Sequence, residues 1–519
     1  MATKITIDPL VRVEGHLKVE CVIDGGEVKE ADCSGPMFRG FERLLIGRDP
    51  LDAQQIAMRV CGVCPMVHGT AAALALDEAL GVNASVPDNG RIVRNLMLAS
   101  NFLQSHILHF YHLAALDYVD CTKVAGYDGA DPGLQSVKAF IDRGELGPFM
   151  PRYEGDYRLP DEVDRAAVAH YVQALQMRRR AHEMLAIFGG KMPHTAALVP
   201  GGVTESVTTS KIADFLWRLN ELRGFIDNVL LPDALAIGGA YNDYFAIGKG
   251  CGAFLSYGGF DLESGEADLT KRQRFFARGT ATAAPALPGT LDVSRIREDV
   301  KHAHYADATT GLHPTQGETE PDMSKGHTWL KAPRYDGKAY EVGPLARAVV
   351  GYLSGHAPTQ QLAGSVLSDL HIQPEDMIST MGRHVARALE AKMVADAMAS
   401  WLLQLQPGAP AAVAFEMPDE ASGTGILEGP RGALLHHIAI QGGKISRYQL
   451  VVPTTWNCSP KDDQGQPGPV EQALIGTKVS DPENPLEIVR IVRSFDPCLA
   501  CAVHVVNVRR DTVARIRVA

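Results

Sequence analysis

Two Cys-x-x-Cys pairs near opposite ends of the 519-residue chain are the residues best placed to do chemistry. Cys61 and Cys64 form the first pair, and Cys498 and Cys501 form the second. Each pair can point two thiolates at one metal from a single tight turn. Soft thiolates favour zinc, iron–sulfur clusters, copper(I) or nickel over hard cations. Because only folding can bring the pairs together, a four-thiolate site would lie at the centre of the chain.

The spacing alone leaves three alternatives open, which are structural zinc, a redox metal and unrelated thiols, with zinc favoured. The context weakens the zinc alternative, because structural zinc usually joins pairs about 12–20 residues apart in a small domain. Five further cysteines are scattered singly and do not form a disulfide framework: Cys21, Cys33, Cys121, Cys251 and Cys458. We expect these five to be buried free thiols.

Composition excludes several classes of protein. The hydrophobic content of 45% and charged content of 21% are ordinary for a globular chain. A net charge of −11 argues against a nucleic-acid partner. No stretch approaches the roughly 18–20 apolar residues of a transmembrane segment. The start, MATKITIDPLVRVEG, has no cationic and apolar signal pattern, so we expect no secretory signal there.

The elements that must position the cysteines are predicted to be mainly helices with small β-sheets, an α+β fold. Alternating residues around Gly25 and Gly26 predict a β-hairpin in the strand-rich first sixty residues. Helical periodicity predicts helices from near Asp52 and over 91–120, 164–188 and 375–405. Short strands between loops are predicted over 239–331, and further strands over 436–453. We expect one large helical-bundle core, with the metal site buried centrally between the N- and C-terminal segments.

A series of motifs gives the chain a family resemblance. In order, the motifs are RVEGHL (12–17), MFRGFE (37–42), RVCGVCPMVHG (59–69), HFYHLAALDY (109–118), KAPRY (331–335), GPRGALLH (429–436), VVPTTWN (451–457) and DPCLACAVH (496–504). Together they resemble the large, catalytic subunit of nickel–iron hydrogenases, from about Lys4 to His504. The resemblance implies an enzyme that reversibly cleaves H2 into protons and electrons. A regulatory H2 sensor with little turnover is the alternative.

Two features set this chain apart within the family. The stretches LQSHILHFYHLAALDY and MGRHVARA look most like the selenium-containing branch, in which selenocysteine often occupies the position of Cys498. Here the residue is cysteine, and VVPTTWN follows the standard branch. Ser105 also stands where many standard members carry an aspartate near the arginine.

The resemblance implies a nickel–iron centre on the four cysteines. Cys61 and Cys498 would be terminal nickel ligands, whereas Cys64 and Cys501 would bridge nickel to an iron that carries one CO and two cyanides. The lining around these diatomic ligands would be Pro430, Arg431, Pro453 and Thr454, with Thr454 able to donate a hydrogen bond to cyanide.

Proton handling and charge near the metals are implied for four residues. Glu14 corresponds to the family's proton-relay glutamate, although the sequence alone would make it an exposed strand residue. Arg431 would overhang the metals, and Asp496 would orient it or neighbouring waters. His68 would donate a hydrogen bond to a bridging cysteine.

A second, distant metal, usually magnesium, is implied at Glu42, the Leu450 carbonyl and His504. Oxygen ligands suit magnesium, whereas histidine is less typical. His109 and His112 are predicted to be helix-packing residues rather than ligands.

The domain boundary follows from the last motif. Residues 1–504 would form one hydrogenase large-subunit domain, and 505–519 would be an extension that a maturation endopeptidase removes after nickel insertion. The implied partners are an iron–sulfur small subunit, that endopeptidase and nickel-insertion chaperones. We expect a periplasmic or membrane-associated location through an exported small subunit, with the cytoplasm as the alternative.

Overall fold

The computed structural model describes residues 2–144, 149, 155–283 and 288–502. Predicted site residue His504 and the predicted extension 505–519 lie outside the described residues. The strands are β1 Thr3–Leu10, β2 Leu17–Asp24, β3 Glu27–Ser34, β4 Leu198–Val199, β5 Gly202–Val203, β6 Ala253–Asp261, β7 Arg274–Thr282, β8 Ile296–Asp299, β9 Ala332–Tyr335, β10 Glu420–Gly429, β11 Gly432–Gln441 and β12 Lys444–Val451.

Helices dominate the rest of the described chain. They are α1 Phe41–Leu45, α2 Asp52–Ala57, α3 Pro65–Ala79, α4 Asp88–Ile107, α5 Pro132–Asp142, α6 Asp161–Gly189, α7 Thr209–Phe225, α8 Leu231–Ala240, α9 Pro344–Leu353, α10 Ala357–Leu370, α11 Thr380–Leu402, α12 Pro453–Asn457, α13 Pro469–Leu474, α14 Leu486–Ser494 and α15 Leu499–Ala502. With its small antiparallel sheets, this architecture confirms the predicted α+β class. Among the described helices, none is both long and apolar enough to cross a membrane.

The N-terminal sheet has the strand order β1-β2-β3 and is antiparallel throughout. Along β2 every second side chain is buried, beginning with Leu17, as expected for a strand with one face on the core. Gly25 and Gly26 make the turn to β3 with positive φ angles of 61° and 77°. The predicted hairpin is therefore confirmed.

A second antiparallel sheet, β10-β11-β12, supports the first cysteine pair. Helix α3, which begins directly after Cys64, packs on β10 at very short range. A Cβ atom at Gly425 would lie only 2.0 Å from the Ala71 carbonyl oxygen, so glycine is required there. This close contact fixes the start of α3, and with it Cys64, relative to the sheet.

The helical core is built around α4, α6 and α11, where α4 packs against both of the others. The α-helix predicted over 91–120 spans Asp88–Ile107 and continues as a π-helical segment, Leu108–Ala114. The helix predicted over 375–405 is wrong at its start. The Ser379 side chain accepts a hydrogen bond from the Gly382 N–H, which caps α11 and separates it from the 3₁₀ turn Pro374–Met377.

An N-terminal segment of the described chain lies beside the second cysteine pair. The Glu14 N–H donates to the Pro497 carbonyl at 3.3 Å, and the Leu499 N–H donates to the Glu14 carbonyl at 2.7 Å. Glu14 and Cys498 thereby form a parallel bridge. This contact places the N-terminal segment against the residues that carry the second pair.

Candidate metal centre

Folding brings the two cysteine pairs into one cluster. The Sγ atoms of Cys61 and Cys498 lie 3.4 Å apart, those of Cys64 and Cys501 3.2 Å apart, and those of Cys498 and Cys501 2.9 Å apart. All four sulfur atoms lie within 4.8 Å of one another, and all four side chains are buried. None of the four is in a disulfide. The cluster is a soft, four-sulfur donor set, which suits a soft or borderline metal such as zinc, iron or nickel rather than a hard cation.

The cluster favours at least one thiolate. Burial opposes ionisation, but hydrogen bonds from the other three thiols, with the Arg431 charge, hold the pKa of Cys61 well below its ordinary value. The N–H groups of Val63 and Cys64 also point at the Cys61 sulfur, at 3.2 and 3.3 Å. Burial raises the pKa of Cys498 and Cys501 well above the ordinary value. Metal ligation requires deprotonated thiols, so loading of this site releases protons.

Glu14 reaches the second pair with its side chain. The Cys498 thiol donates to Glu14 Oε2 at 3.2 Å, and the Ala500 N–H donates to the same oxygen at 2.9 Å. Burial, followed by the charge of Cys61, raises the pKa of the Glu14 carboxyl. A carboxyl with a raised pKa in contact with a sulfur ligand can exchange a proton with it. The sequence-only interpretation of Glu14 as an exposed strand residue is wrong, because the residue follows β1 and pairs with Cys498.

Gly15 allows this approach. Its φ is +84°, and a Cβ atom there would lie 2.8 Å from both the Ala500 nitrogen and the Leu499 Cβ. Only glycine combines that backbone conformation with such a short contact.

Arg431 lies buried beside the sulfur cluster. Its Nε donates to the Asp496 carbonyl at 3.0 Å, and its guanidinium donates to Asp496 Oδ1 at 3.1 Å and to the Ser105 hydroxyl at 3.3 Å. Although burial opposes its charge, Asp496 and the cysteines raise the pKa of Arg431 well above its ordinary value. Ser105 thus contributes a neutral hydrogen-bond contact to this guanidinium.

A small pocket adjoins three of the cysteines. Its lining consists of Cys64, Val67, His68, Gly429, Pro430, Arg431, Leu434, Pro453, Thr454, Cys498 and Cys501. Thr454 Oγ1 accepts a hydrogen bond from the Cys498 N–H at 2.9 Å, which leaves the hydroxyl hydrogen able to donate into the pocket. The predicted lining residues Pro430, Pro453 and Thr454 therefore share one pocket.

His68 begins a buried chain of polar groups that leads away from the cluster. Its Nε2 lies 3.3 Å from the Cys501 sulfur, and its Nδ1 lies 3.1 Å from His436 Nε2. His436 Nδ1 is in turn 2.8 Å from the Tyr448 hydroxyl. Burial lowers the pKa of His68 to about 4, so the ring is neutral near pH 7. Sequence analysis missed His436 and Tyr448, although His436 closes the GPRGALLH motif.

Arg39 is another residue that the sequence analysis missed. Its guanidinium donates to the carbonyls of Val60 at 2.5 Å, Arg59 at 2.9 Å and Ala500 at 3.4 Å. One side chain therefore contacts the backbone that leads into the first pair and the backbone inside the second. Its presence in the MFRGFE motif was the available signal.

The predicted second metal site is only partly described. Glu42 is buried, and its Oε1 accepts a hydrogen bond from the Leu450 N–H at 2.9 Å, while Thr319 donates to Oε2. Glu42 and Leu450 thus lie together, and His504 is outside the described residues. His109, predicted to be a packing residue, has its Nε2 2.7 Å from the Arg493 carbonyl.

The comparisons with known proteins agree with this geometry. A family model described as nickel-dependent hydrogenase matches residues 39–133 and 134–504, and a HoxL-like model matches residues 4–34. The chain belongs to the nickel-dependent hydrogenase family. As an enzyme it is a nickel–iron hydrogenase, an oxidoreductase, and the predicted family is confirmed.

Relatives cover nearly the whole hydrogenase chain. The periplasmic [NiFeSe] hydrogenase large subunit of Desulfomicrobium baculatum is 43% identical, covering 97% of this chain and 95% of that protein. The hydrogenase-1 large chain of Escherichia coli is 37% identical over the same shares. The Ni-Fe-Se hydrogenase of Desulfovibrio vulgaris Hildenborough in the reduced state superimposes with a TM-score of 0.86, at 43% identity, over 97% of this chain and 100% of that one. The predicted likeness to the selenium-containing branch is therefore confirmed, while residue 498 in this hydrogenase is cysteine.

Proposed function

We propose that this hydrogenase subunit catalyses the reversible oxidation of H2 to two protons and two electrons. The observation that carries the proposal is the cluster of four buried thiols with a carboxyl in contact with one of them. When bound, the nickel–iron group supplies heterolytic cleavage of H2 and accepts the electrons. The chain itself holds the metals, moves protons and excludes water.

Cys61 and Cys498 are proposed as terminal nickel ligands, and Cys64 and Cys501 as ligands shared with iron. The pocket that contains Pro430, Pro453 and Thr454 is lined by both proposed shared ligands, Cys64 and Cys501, and by Cys498, whereas Cys61 does not line it. This placement supports an iron site beside Cys64 and Cys501. We propose that one CO and two cyanides occupy that pocket. The free hydroxyl hydrogen of Thr454 is available to one cyanide.

Glu14 is proposed to carry protons between Cys498 and the surface. Its Oε2 atom accepts from the Cys498 thiol, and the residue also lines a second pocket with His16, Met37 and Arg39. The side chain of His16 is 37% exposed, so this pocket leads towards solvent. A proton received at Glu14 Oε2 can leave by this side.

Arg431 and Asp496 are proposed to fix the charge around the metals. The guanidinium stays charged beside the thiolates and is oriented by the Asp496 carboxylate and carbonyl. A buried guanidinium that balances anionic ligands offsets their cost of desolvation. His68, neutral at physiological pH, is proposed to hold the Cys501 sulfur through its ring nitrogen.

The second metal is proposed to be magnesium, bound by Glu42, the Leu450 carbonyl and His504. The adjacency of Glu42 and Leu450 supports this assignment, as does the preference of magnesium for carboxylate and carbonyl oxygens.

An iron–sulfur small subunit is the proposed electron acceptor. Among the described residues, the four cysteines are the sole group of three or more cysteine, histidine or carboxylate ligands placed to hold a metal, and we propose that the electrons leave to another protein. The relatives are named large subunits or large chains, and one is named periplasmic. We propose export with the small subunit. We also propose nickel insertion by chaperones, followed by removal of 505–519, since the family match ends at residue 504.

Hydrogen uptake with an artificial electron acceptor, measured on the purified complex together with its nickel and iron content, tests the proposed function. Multiple turnovers by protein that contains both metals support an enzyme. Both metals with almost no turnover would instead favour the regulatory sensor, and zinc alone would refute both.

A further inference from the structure

Two segments from opposite ends of the chain must be aligned before Glu14 can reach Cys498. Glu14 follows β1, and Cys498 follows α14. The backbone bridge between them spans only Glu14 and its partners Pro497 and Leu499. So short a pairing leaves the alignment dependent on contacts outside it.

A single buried carboxylate joins the two segments. Asp117 Oδ1 accepts a hydrogen bond from the Arg12 guanidinium at 2.5 Å and from the Arg493 guanidinium at 2.6 Å. Arg12 lies two residues before Glu14, and Arg493 lies five residues before Cys498. Side-chain exposure is 1% for Asp117 and Arg493 and 9% for Arg12, so water does not weaken these ion pairs as it does at a surface.

Further hydrogen bonds connect α14 to the N-terminal segment and to Asp117. The Arg493 guanidinium also donates to the Val11 carbonyl through Nε at 3.1 Å and through a terminal nitrogen at 2.8 Å. Arg490 donates to the Asp117 carbonyl, with its Nε at 3.2 Å. Asp117 therefore contacts α14 with both its side chain and its backbone.

The short helical segment around Asp117 explains why this residue can contact both the N-terminal segment and α14. Asp117 ends the 3₁₀ turn Ala115–Asp117, which directly follows the π-helical segment Leu108–Ala114. In the same segment, His109 lies against the Arg493 carbonyl. The segment that follows α4 thus presents the side chains of His109 and Asp117 to α14.

We propose that Asp117 is a positioning residue that sets the distance between the Glu14 carboxyl and the Cys498 sulfur. It acts through Arg12 on one side and through Arg493 on the other, and it contacts neither reacting group. The inference rests on the proposed role of Glu14 in proton transfer. A merely structural Asp117 would affect stability and leave the Glu14 carboxyl where it is.

Asp261 provides a matched control. Its carboxylate, whose side chain is 13% exposed, also lies between two arginines, Arg272 and Arg274, at 2.7 Å each. It lies at the end of β6 and contacts neither the Glu14 segment nor α14 in the described structure. D117N and D261N therefore remove the same kind of interaction at different places.

The test compares the purified, metal-loaded complexes of the parent, E14Q, D117N and D261N. Infrared difference spectra locate the protonated carboxyl band that E14Q abolishes. We expect D117N to retain nickel and iron, to shift that band, and to reduce H2 uptake about 10- to 100-fold with a larger solvent isotope effect. D261N should lower the thermal midpoint without shifting the band.

Other outcomes separate the two claims. The positioning role would be overturned if metal-loaded D117N had an unshifted Glu14 band and, like D261N, only a lower thermal midpoint. If E14Q retains full turnover, the proposed role of Glu14 fails instead, and the positioning inference falls with it. Should D117N not assemble, D117E keeps the charge but moves it by one methylene. A shifted band in D117E supports the proposal, and an unshifted one contradicts it.

Discussion

Oε2 of Glu14 lies 3.2 Å from the sulfur of Cys498, a residue that is 484 positions later in the chain. The contact joins the first strand-and-turn segment to the second cysteine pair. Because the same oxygen also accepts the Ala500 N–H, the carboxyl is held in one orientation. The four-cysteine cluster and the carboxyl in contact with it are therefore products of the whole fold rather than of a local motif.

Replacing Glu14 by glutamine tests the proton route. E14Q keeps the side-chain shape but cannot be protonated and deprotonated, so we expect H2 uptake to fall about 10²- to 10⁴-fold with unchanged metal content. Glu20 on β2 is the control, since it pairs with Lys4 and Lys18 and does not contact the cluster. E20Q should retain near-parental activity. An equal loss in both variants would contradict a specific role for Glu14.

Gly15→Ala tests the close approach of the N-terminal segment. The added Cβ would lie 2.8 Å from the Ala500 nitrogen and from the Leu499 Cβ, so the Glu14 segment must move away from the second pair. We expect lower activity and a lower thermal midpoint. Gly26 is the control because its φ of +77° is similar and no atom lies within 4 Å of a Cβ there. G26A should show only the cost of the left-handed conformation, about 1–2 kcal/mol, and full activity.

Cys64→Ser tests the metal ligands. A serine hydroxyl is a harder and far weaker ligand for nickel and iron than a thiolate, so the purified variant should lose most of both metals. Cys458→Ser is the matched control, because Cys458 is also buried but lies outside the cluster. Elemental analysis of both proteins decides the result. Full nickel and iron occupancy in C64S would exclude Cys64 as a ligand.

Glu471 is expected to make stability depend on pH. Burial raises the pKa of this carboxyl to about 8, above its ordinary 4.5. Between those values the folded protein keeps a proton that the unfolded chain has lost. The free energy of unfolding therefore decreases as pH rises through this window, by up to about 1.4 kcal/mol per unit of pKa shift.

The variant E471Q removes this titration, although it weakens the hydrogen bonds that Glu471 accepts from the N–H groups of Cys33 and Gly468. We expect the thermal midpoint of the parent to exceed that of E471Q by more at pH 5 than at pH 8. Exposed Glu483 is the control, and E483Q should follow the parent at both pH values. A constant difference between parent and E471Q would contradict the prediction.

The cysteine cluster could be predicted because each half is a local motif, and the same holds for the hairpin at Gly25–Gly26. Contacts between distant residues could not be predicted in this way. Arg39 contacts Ala500, and His68 contacts His436, only after the chain has folded. The sequence around Arg39 or His68 does not indicate which distant residue it will contact. The start of α11 was missed for a related reason, since periodicity continues through Ser379 while its side chain caps the helix.

An infrared spectrum in the CO and cyanide stretching region tests the central claim most directly, because proteins have almost no other groups that absorb there. For the purified complex containing nickel and iron, we predict one CO band and two cyanide bands. The same bands should be absent from C64S, which serves as the blank. A nickel- and iron-containing sample without these bands would contradict the proposed centre.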